Sequence, residues 1–526
     1  MITHTLVKAG QYYDSVTLLQ VAQTLLKLDG VTDAAVVMGT PANQGILRNA
    51  DLLTPEAEAA SPDDLVIAVR AMSKSEALNA IAYAEETLTA SQRQEATQQS
   101  APTPRSVSTA ARQMGDANIA LVSVAGRYAA DVARQALRQD LHVFLFSDNV
   151  SVEDEIAIKQ LGRDRGLLVM GPDAGTAIIN GKALGFANAI LTTPPTAGGI
   201  GIVAASGTGL QAVTTGLAQR GIGITQAIGT GGRDLSAEVG GIMMVEAVKA
   251  LQADPVTEVL LLVSKPPAPE VAELVLETVR KSDKPAVVCF LGGKREPIEA
   301  VGAIPASTLE RATLIAAELA TGGQPAHAIA ALRERNQGLK EQARELRSRL
   351  SKGQKCYRGL FSGGTFCYET QIILSKMLGR DRIKSNAPLS KAQRLASANV
   401  SEGHSAVDLG EDEFTVGRLH PMLDPALRNR RIVQEARDPD TAVLYIDVVL
   451  GYGVHPNPAG AAVEAIYEAQ ERLKRKKRDV IFLAHVCGTN ADPQDASRQV
   501  EILQQAGVIV MPSNAAAARL AGYILK

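Results

Sequence analysis

The sequence predicts an α/β protein built from several parallel sheets, with a small α/β domain ahead of them. Three observations carry that reading. Of 526 residues, 46% are apolar and 45 are glycine, while aromatic residues make up 3% and tryptophan is absent; this composition suits buried strands under small-residue helices. Strand-length apolar runs recur without polar alternation, as strands covered on both faces do. Helix-length segments follow the runs, giving the βα rhythm of a parallel sheet.

Residues 1–90 read as a strand at 4–8, a helix at 15–28, strands at 34–38 and 65–69, and a helix at 74–87. The segment 91–114, opening SQRQEATQQSAPTPRS, is rich in Gln, Ser, Thr and Pro and reads as a linker. Residues 115–192 carry the runs IALVSVAG, HVFLFSDN and GLLVMGPDAG, and residues 193–321 carry GIGIVAASGTG, ITQAIGTGGRD, EVLLLVSKPP and AVVCFLGG. They are expected to form two Rossmann-like units side by side. Residues 322–355 include AHAIAALRERNQGLKEQARELRSRL, whose helical spacing and many charges predict a solvated connecting helix. Residues 356–526 repeat the theme with YRGLFSGGTF, AVLYIDVVLGYG, VIFLAHVCGT and GVIVMPSN, a further flavodoxin-like unit.

Composition narrows the function classes. With 54 Lys+Arg against 56 Asp+Glu, bulk charge gives no support for nucleic acid or a membrane surface as partner, and the run KRKKR at 474–478 reads as a solvated helix end. Four cysteines, Cys289, Cys356, Cys367 and Cys487, form no CxxC pair, so neither a disulfide framework nor a metal site is expected. The N-terminus lacks a basic segment followed by an apolar run, which predicts no signal peptide and a cytoplasmic location.

Ligands of open parallel sheets sit beyond the carboxyl ends of the strands, and the small polar loops fall there. AASGTG places Ser206, Gly207, Thr208 and Gly209 between a strand and a helix, where turned-in amides, hydroxyls and the helix dipole suit a phosphate or carboxylate. GTGGRD repeats the arrangement with Gly231, Gly232 and Arg233, the last a bidentate partner for an oxyanion. SGGT (Gly363, Gly364, Thr365) and GYG (Gly451, Gly453) are candidates of the same kind; the alternative is that such glycines close tight turns. If the two sheets face each other, helix N-termini from both would oppose across one phosphate. There is no GxxxxGK[ST] loop, hence no P-loop.

In GRLHPMLDP, His420 and Asp424, with Arg418, could protonate a leaving group, or His420 could cap the turn before Pro421. Asp148, Asn149 and Asp173 end strands and could meet substrate or cap helices. Lys265 could meet a carboxylate or be solvated. Glu153, Asp154 and Glu155 suit a first helical turn and need no function, and His485 reads as a core histidine.

The stretch 116–291 resembles the α subunit of succinyl-CoA synthetase through SDNVSVEDEI with GLLVMGPDAGT, AASGTG and AIGTGGRD, while VDLGEDEFTVG and DVVLGYGVHPNP resemble the β subunit's carboxy-terminal ligase domain. The resemblance implies a CoA-binding-like Rossmann domain at 115–192 and ligase-type domains at 193–321 and 356–526. As a whole, with MGTPANQGIL, SKPPAP and FTVGRLHPMLDP, the chain is most similar to FdrA-type acyl-CoA-synthetase-like proteins.

Departures from the synthetase shape the expectation. After AVVCFLGG the chain reads KREPIEAVGAIPAS in place of a phosphohistidine loop, a charged helix replaces the nucleotide-binding module, and KAGQYYDSV stands where a CoA fingerprint would lie. The FdrA-type resemblance implies a carbamoyltransferase component, with phosphate and a ureido acid such as oxalurate, derived from allantoin, giving carbamoyl phosphate and oxamate. It implies phosphate as co-substrate, no resident cofactor, and neither CoA nor nucleotide as a ligand of this chain. Partner subunits, a carbamate kinase and a homo-oligomer or hetero-complex are implied as well. The alternatives are an acid–thiol ligase with a nucleotide-binding partner and a non-catalytic metabolite-binding scaffold.

Overall fold

A computed structural model describes residues 2–11, 13, 15–26, 28–50, 52–98, 104–190, 199–379, 382–415 and 419–526. The chain divides into two compact units, the first at Met1–Arg105 with 416–418 and the second comprising the remainder.

The first unit runs β1 (Ile2–Lys8), α1 (Ser15–Leu25), β2 (Val31–Met38), α2 (Pro41–Asn49), α3 (Pro55–Glu58), β3 (Leu65–Ala71) and α4 (Lys74–Gln98). Its three strands pair antiparallel in the order β1-β3-β2. The central strand is covered on both faces, so its sequence LVIAVRA is almost continuously apolar. Ile67 and Val69 pack with α1 and α4 residues such as Leu18, Leu25 and Ile81, while Val66 and Ala68 pack with Leu47, Leu52 and Ala57 of the α2–α3 side. The expected linker begins as helix: α4 continues to Gln98, and α5 (Val107–Met114) starts after the Ser106 cap, whose hydroxyl accepts from Thr109 N at 3.2 Å. Extending a formed helix through Gln, Ala and Glu is easier than nucleating a new one.

In the second unit, β4 (Ile119–Val122), α6 (Gly126–Leu137), β5 (His142–Leu145), α7 (Val152–Asp164) and β6 (Val169–Met170) form a three-stranded parallel sheet with its helices. The remainder of 115–192 departs from the expected single sheet. The hairpin β7 (Thr176–Ile179) and β8 (Lys182–Gly185) turns on Asn180 and Gly181, both at positive φ, and β7 pairs antiparallel with the next sheet.

That sheet contains β9 (Gly199–Ala204), β10 (Ile224–Gly229), β11 (Thr257–Ser264), β12 (Ala286–Phe290) and β13 (Ile304–Pro305). The connecting helices are α8 (Gly207–Ala218), α9 (Ile242–Ala253), α10 (Pro269–Arg280) and α11 (Glu296–Ala300), with α12 (Leu309–Ala320) after β13. Its order is β13-β12-β11-β9-β10-β7-β8. The chain leaves β9 towards β10 and returns to its other side at β11, so the switch of direction falls at β9, where a crevice opens beyond the strand ends.

Next comes α13 (Pro325–Ser348). It is not simply solvated: Ala328, Leu339, Ala343 and Leu346 bury one face in the core that includes Ala316, Leu520 and Ile524, while the charges occupy the other face.

The last sheet is all parallel, β15-β16-β14-β17-β18-β19. Its elements are β14 (Cys356–Phe361), α14 (Gly364–Leu378), β15 (Ile383–Ser385), β16 (His404–Asp408), α15 (Asp412–Thr415), α16 (Ala426–Arg437), β17 (Thr441–Val449), α17 (Pro458–Arg475), β18 (Ile481–Cys487), α18 (Ala496–Gln505), β19 (Ile509–Met511) and α19 (Asn514–Leu525). Its switch point lies at β14, between β16 and β17. One apolar core links both large sheets through α8, α14 and α19.

All four cysteines are buried and unpaired with one another. Among the described residues no helix is long and apolar enough to cross a membrane.

Candidate active site between two helix N-termini

Both switch-point loops open onto one cleft. AASGTG leaves β9 and starts α8; SGGT leaves β14 and starts α14. Ser206 caps α8, its hydroxyl accepting from Gly209 N at 3.0 Å, and pairs directly with the Thr365 hydroxyl in the first turn of α14. A Cβ on Gly363 would stand 2.5 Å from Thr208 Cγ2, and one on Gly364 would stand 2.6 Å from Asp408 Oδ2. These two glycines are what allow the loops to approach. First-turn amides of two helices thus face a shared space, an arrangement suited to a multiply charged oxyanion.

The SGGT loop is tied down from beneath. Asp447, buried in β17, accepts from Ser362 N and Ser362 Oγ at 2.7 Å and from Gly363 N at 2.7 Å. Buried Arg428 donates to the Asp447 carbonyl at 2.7 Å. The cavity, about 270 Å³, is lined by Ser206, Thr208, Lys265, Thr365, Asp408 and His420, with Asp173, Gly207, Gly232, Gly364 and Glu411 among its other walls.

Its titratable groups have distinct roles. Asp408 ends β16; its Oδ1 accepts from Gly410 N at 3.0 Å, and burial with Glu411 nearby pushes it up to about 7, against the pull of Lys265. Asp173 is still open to the cleft, but the protein crowded around it and the neighbouring Asp148 and Asp412 push it up to about 6. Burial lowers His420 to about 4. Its Nδ1 accepts from Met422 N at 3.3 Å, which leaves the proton of the neutral ring on Nε2. A Cβ placed on Gly410 would lie 2.8 Å from that Nε2 and 3.2 Å from Asp408 Oδ1, so ring and carboxylate converge on one spot. Lys265 directly follows β11, with its ammonium over the Tyr368 ring, 5.6 Å from the centroid.

Several expected residues fall elsewhere. Asp424 accepts from Ala426 N at 2.9 Å as the chain enters α16; the carboxylate beside His420 is Asp408. Arg418 lies outside the described residues. Arg233 does not reach the cleft: its guanidinium donates to the Val150 carbonyl at 2.7 Å and pairs with Glu155 Oε2 at 2.9 Å. Glu155, in the first turn of α7 as expected, is fully buried against Lys159, whose ammonium also meets Asp234 Oδ1 at 2.8 Å and the Thr230 carbonyl at 3.0 Å. This cluster anchors GTGGRD, and of that loop's candidates Gly232 lines the cleft while Gly231 packs on Gly171 and Pro172. Asp148 and Asn149 sit exposed past β5, outside the cleft's walls. Gly451 and Gly453 serve packing: a Cβ on Gly451 would come within 2.8 Å of the Phe186 and Ala187 carbonyls, and Phe186 covers Gly453.

Asp408 and Asp447 escape a reading centred on glycine loops. Their signal is an aspartate closing the run SAVD and one interrupting YIDVV, where burial demands a partner.

The two large sheets with their facing strand-to-helix loops give an α/β fold, and CoA-ligase-type family patterns match within it. The CoA-ligase pattern matches residues 360–524, and the CoA binding domain matches 196–292, one segment later than the 115–192 expected for a CoA-binding-like unit. The AllF heavy metal-associated domain matches 1–104. That stretch contains no cysteine and one histidine, His4, so it lacks the thiolate donors a soft metal favours. Among the described residues no group of three His, Cys, Asp or Glu side chains is placed to hold a metal.

The chain belongs to the family of the uncharacterized protein YahF of Escherichia coli (strain K12): the two are 42% identical over 514 residues, 98% of this chain and 97% of the relative. Looser structural likenesses include a dinucleotide-forming acetyl-coenzyme A synthetase of Ca. Korarchaeum cryptofilum, solved with phosphate and ADP, at 14% identity, TM-score 0.33, covering 77% of this chain and 82% of that one. An ATP citrate lyase of Methanothrix soehngenii, solved with citrate and coenzyme A, gives 15% identity, TM-score 0.35 and 41% of each chain.

Proposed function

We propose that the chain is an acyl-transfer enzyme of the acyl-CoA ligase class, in which a phosphate held between the α8 and α14 N-termini attacks an activated carbonyl. The contact between Ser206 and Thr365 carries this reading, because it brings the N-termini of two helices together at one cavity. In the direction of phosphorolysis, an oxygen of hydrogen phosphate bonds to the carbonyl carbon of a thioester. The C–S bond breaks, and the phosphate proton passes to the departing thiolate, giving an acyl phosphate and a free thiol. Lys265 supplies a cation for the carbonyl oxyanion. His420 and Asp408 are placed to relay a proton.

A carbamoyl form of the same transfer has one observation in its favour. Glu411 lines both the cleft and an adjoining cavity of about 430 Å³, which also holds Lys265, Arg394 and Asp412. Cations beside carboxylates suit an acid carrying N–H groups, such as a ureido acid, whereas a dicarboxylate would face repulsion. The products would then be carbamoyl phosphate and an amide acid.

The full-length protein should therefore turn over one of two substrate pairs. With phosphate and acetyl- or succinyl-CoA, thiol release should need phosphate and hydroxylamine should trap the acyl phosphate; with phosphate and oxalurate, carbamoyl phosphate and oxamate should appear. Ser206→Ala with Thr365→Val should slow whichever reaction occurs by roughly 10²-fold, the scale for losing transition-state donors. Absence of phosphate-dependent turnover with both pairs would sink the proposal.

A further inference from the structure

A second basic pocket lies at the same edge of the β9–β13 sheet, beyond β12. There the loop Gly292–Gly293–Lys294–Arg295 closes over a cavity of about 80 Å³ that Arg311 of α12 and Lys376 of α14 complete, room for several waters or one tetrahedral oxyanion. Four cations thus converge on it. Arg295 alone has an acidic partner, Glu299 at 2.8 Å; among the described residues Lys294, Arg311 and Lys376 have no carboxylate within 4.0 Å. The Arg311 Nε is buried without a hydrogen-bond partner, which in a folded protein calls for a missing acceptor. Burial and the like charges of Arg295, Arg333 and Arg519 hold the Arg311 guanidinium below its usual range, a repulsion that an anion would relieve.

We propose that this pocket is a second oxyanion site, separate from the cleft, which takes a phosphate group from free phosphate or from a phosphomonoester of a larger ligand. The two sites share α14. Gly364 at its start borders the cleft, and Lys376 lies twelve residues along, about 18 Å at 1.5 Å per residue. That spacing is too long for one phosphate to touch both and fits two ends of an extended ligand.

Titration calorimetry on the full chain tests it, with inorganic phosphate in one arm and adenosine 3′,5′-bisphosphate in the other. Two classes of phosphate site are expected in the unaltered protein. Lys294→Ala with Lys376→Ala, side chains at the surface end of the pocket, should weaken one class at least tenfold and spare the other, and Arg311→Gln should do the same. Bisphosphate binding tenfold tighter than phosphate, and lost in the double variant, assigns the pocket to a larger ligand; equal binding assigns it to free phosphate. A single class of site, or titrations unchanged in both variants, overturns the proposal. Loss confined to Ser206→Ala would assign phosphate to the cleft alone and overturn it too.

Discussion

Replacing Lys159 with methionine is expected to destabilise the protein by about 3–5 kcal/mol, the scale for removing one partner of a fully buried ion pair. The lysine sits between Glu155 and Asp234, all three without solvent contact. Without it, Glu155 keeps the half-exposed Arg233. Asp234 keeps the Met243 and Met244 amides at the start of α9, at 3.2 and 2.8 Å. Two carboxylates then remain buried against a single cation. Chemical denaturation of the full chain at pH 7 measures the loss. The triple variant Lys159→Met, Glu155→Gln, Asp234→Asn should recover much of it, because it leaves no charge stranded. A loss below about 1 kcal/mol in the single variant would show that the site is wet enough to behave like a surface pair. Because Gly232 of the anchored loop lines the cleft, phosphate affinity should fall along with stability.

Anion binding at the cleft should weaken as pH rises through about 7. Asp408 is protonated below that value and charged above it. In the protonated form it does not oppose an anion; in the charged form it repels one. The groups facing it are Glu411 and Asp447, which favour the protonated form, and Lys265 and the Gly410 amide, which favour the charged form. His420, lowered to about 4, stays neutral throughout the range. Sulfate is the suitable probe because its own charge does not change between pH 5 and 9. Measured in the Lys294→Ala/Lys376→Ala background, its affinity should fall on the order of tenfold between pH 6 and 8, following the loss of protonated Asp408, because unit charges about 5 Å apart at an effective dielectric of about 20 repel by roughly 3 kcal/mol and the charged form binds little anion. Asp408→Asn should remove the fall centred near pH 7 and leave only the earlier one from Asp173, raised to about 6 in the same cleft. A flat profile in the parent, or an unchanged slope in Asp408→Asn, would count against the role given to this carboxylate. The same raised value bears on folding: the native state binds this proton more tightly than the unfolded chain, so Asp408 favours folding below about 4 and loses that contribution as pH climbs to about 7.

The architecture was legible where strands are buried on both faces, because such strands read as continuous apolar runs whichever helix covers them. All seven runs between 115 and 321 are strands. Short strands with polar residues, IKS at β15 and HSAVD at β16, carry no such signal. The β7–β8 hairpin turns on Asn180–Gly181, a strong local signal that the apolar rhythm around it overrode, so the antiparallel pairing went unexpected. Site residues divide the same way. Ser206, Thr208, Gly364 and Thr365 meet at one cavity because the backbone loops that carry them bring them there. Arg233 and Asp424 were misplaced because a charged side chain is claimed by its nearest partner in space. For Arg233 that partner is Glu155, 78 positions earlier in the chain, a distance no local pattern spans. The burial of one face of α13 likewise depends on α19, at the far end of the sequence.

One consequence of the paired loops concerns dilution. The faces contributed by α8 and α14 lie on a single polypeptide, with α13 between them in sequence, and Gly363 against Thr208 leaves no gap for separate folding halves to drift into. Their mutual concentration is set by tether and packing, not by how much protein is in solution. The two walls of the cleft therefore stay together at any protein concentration.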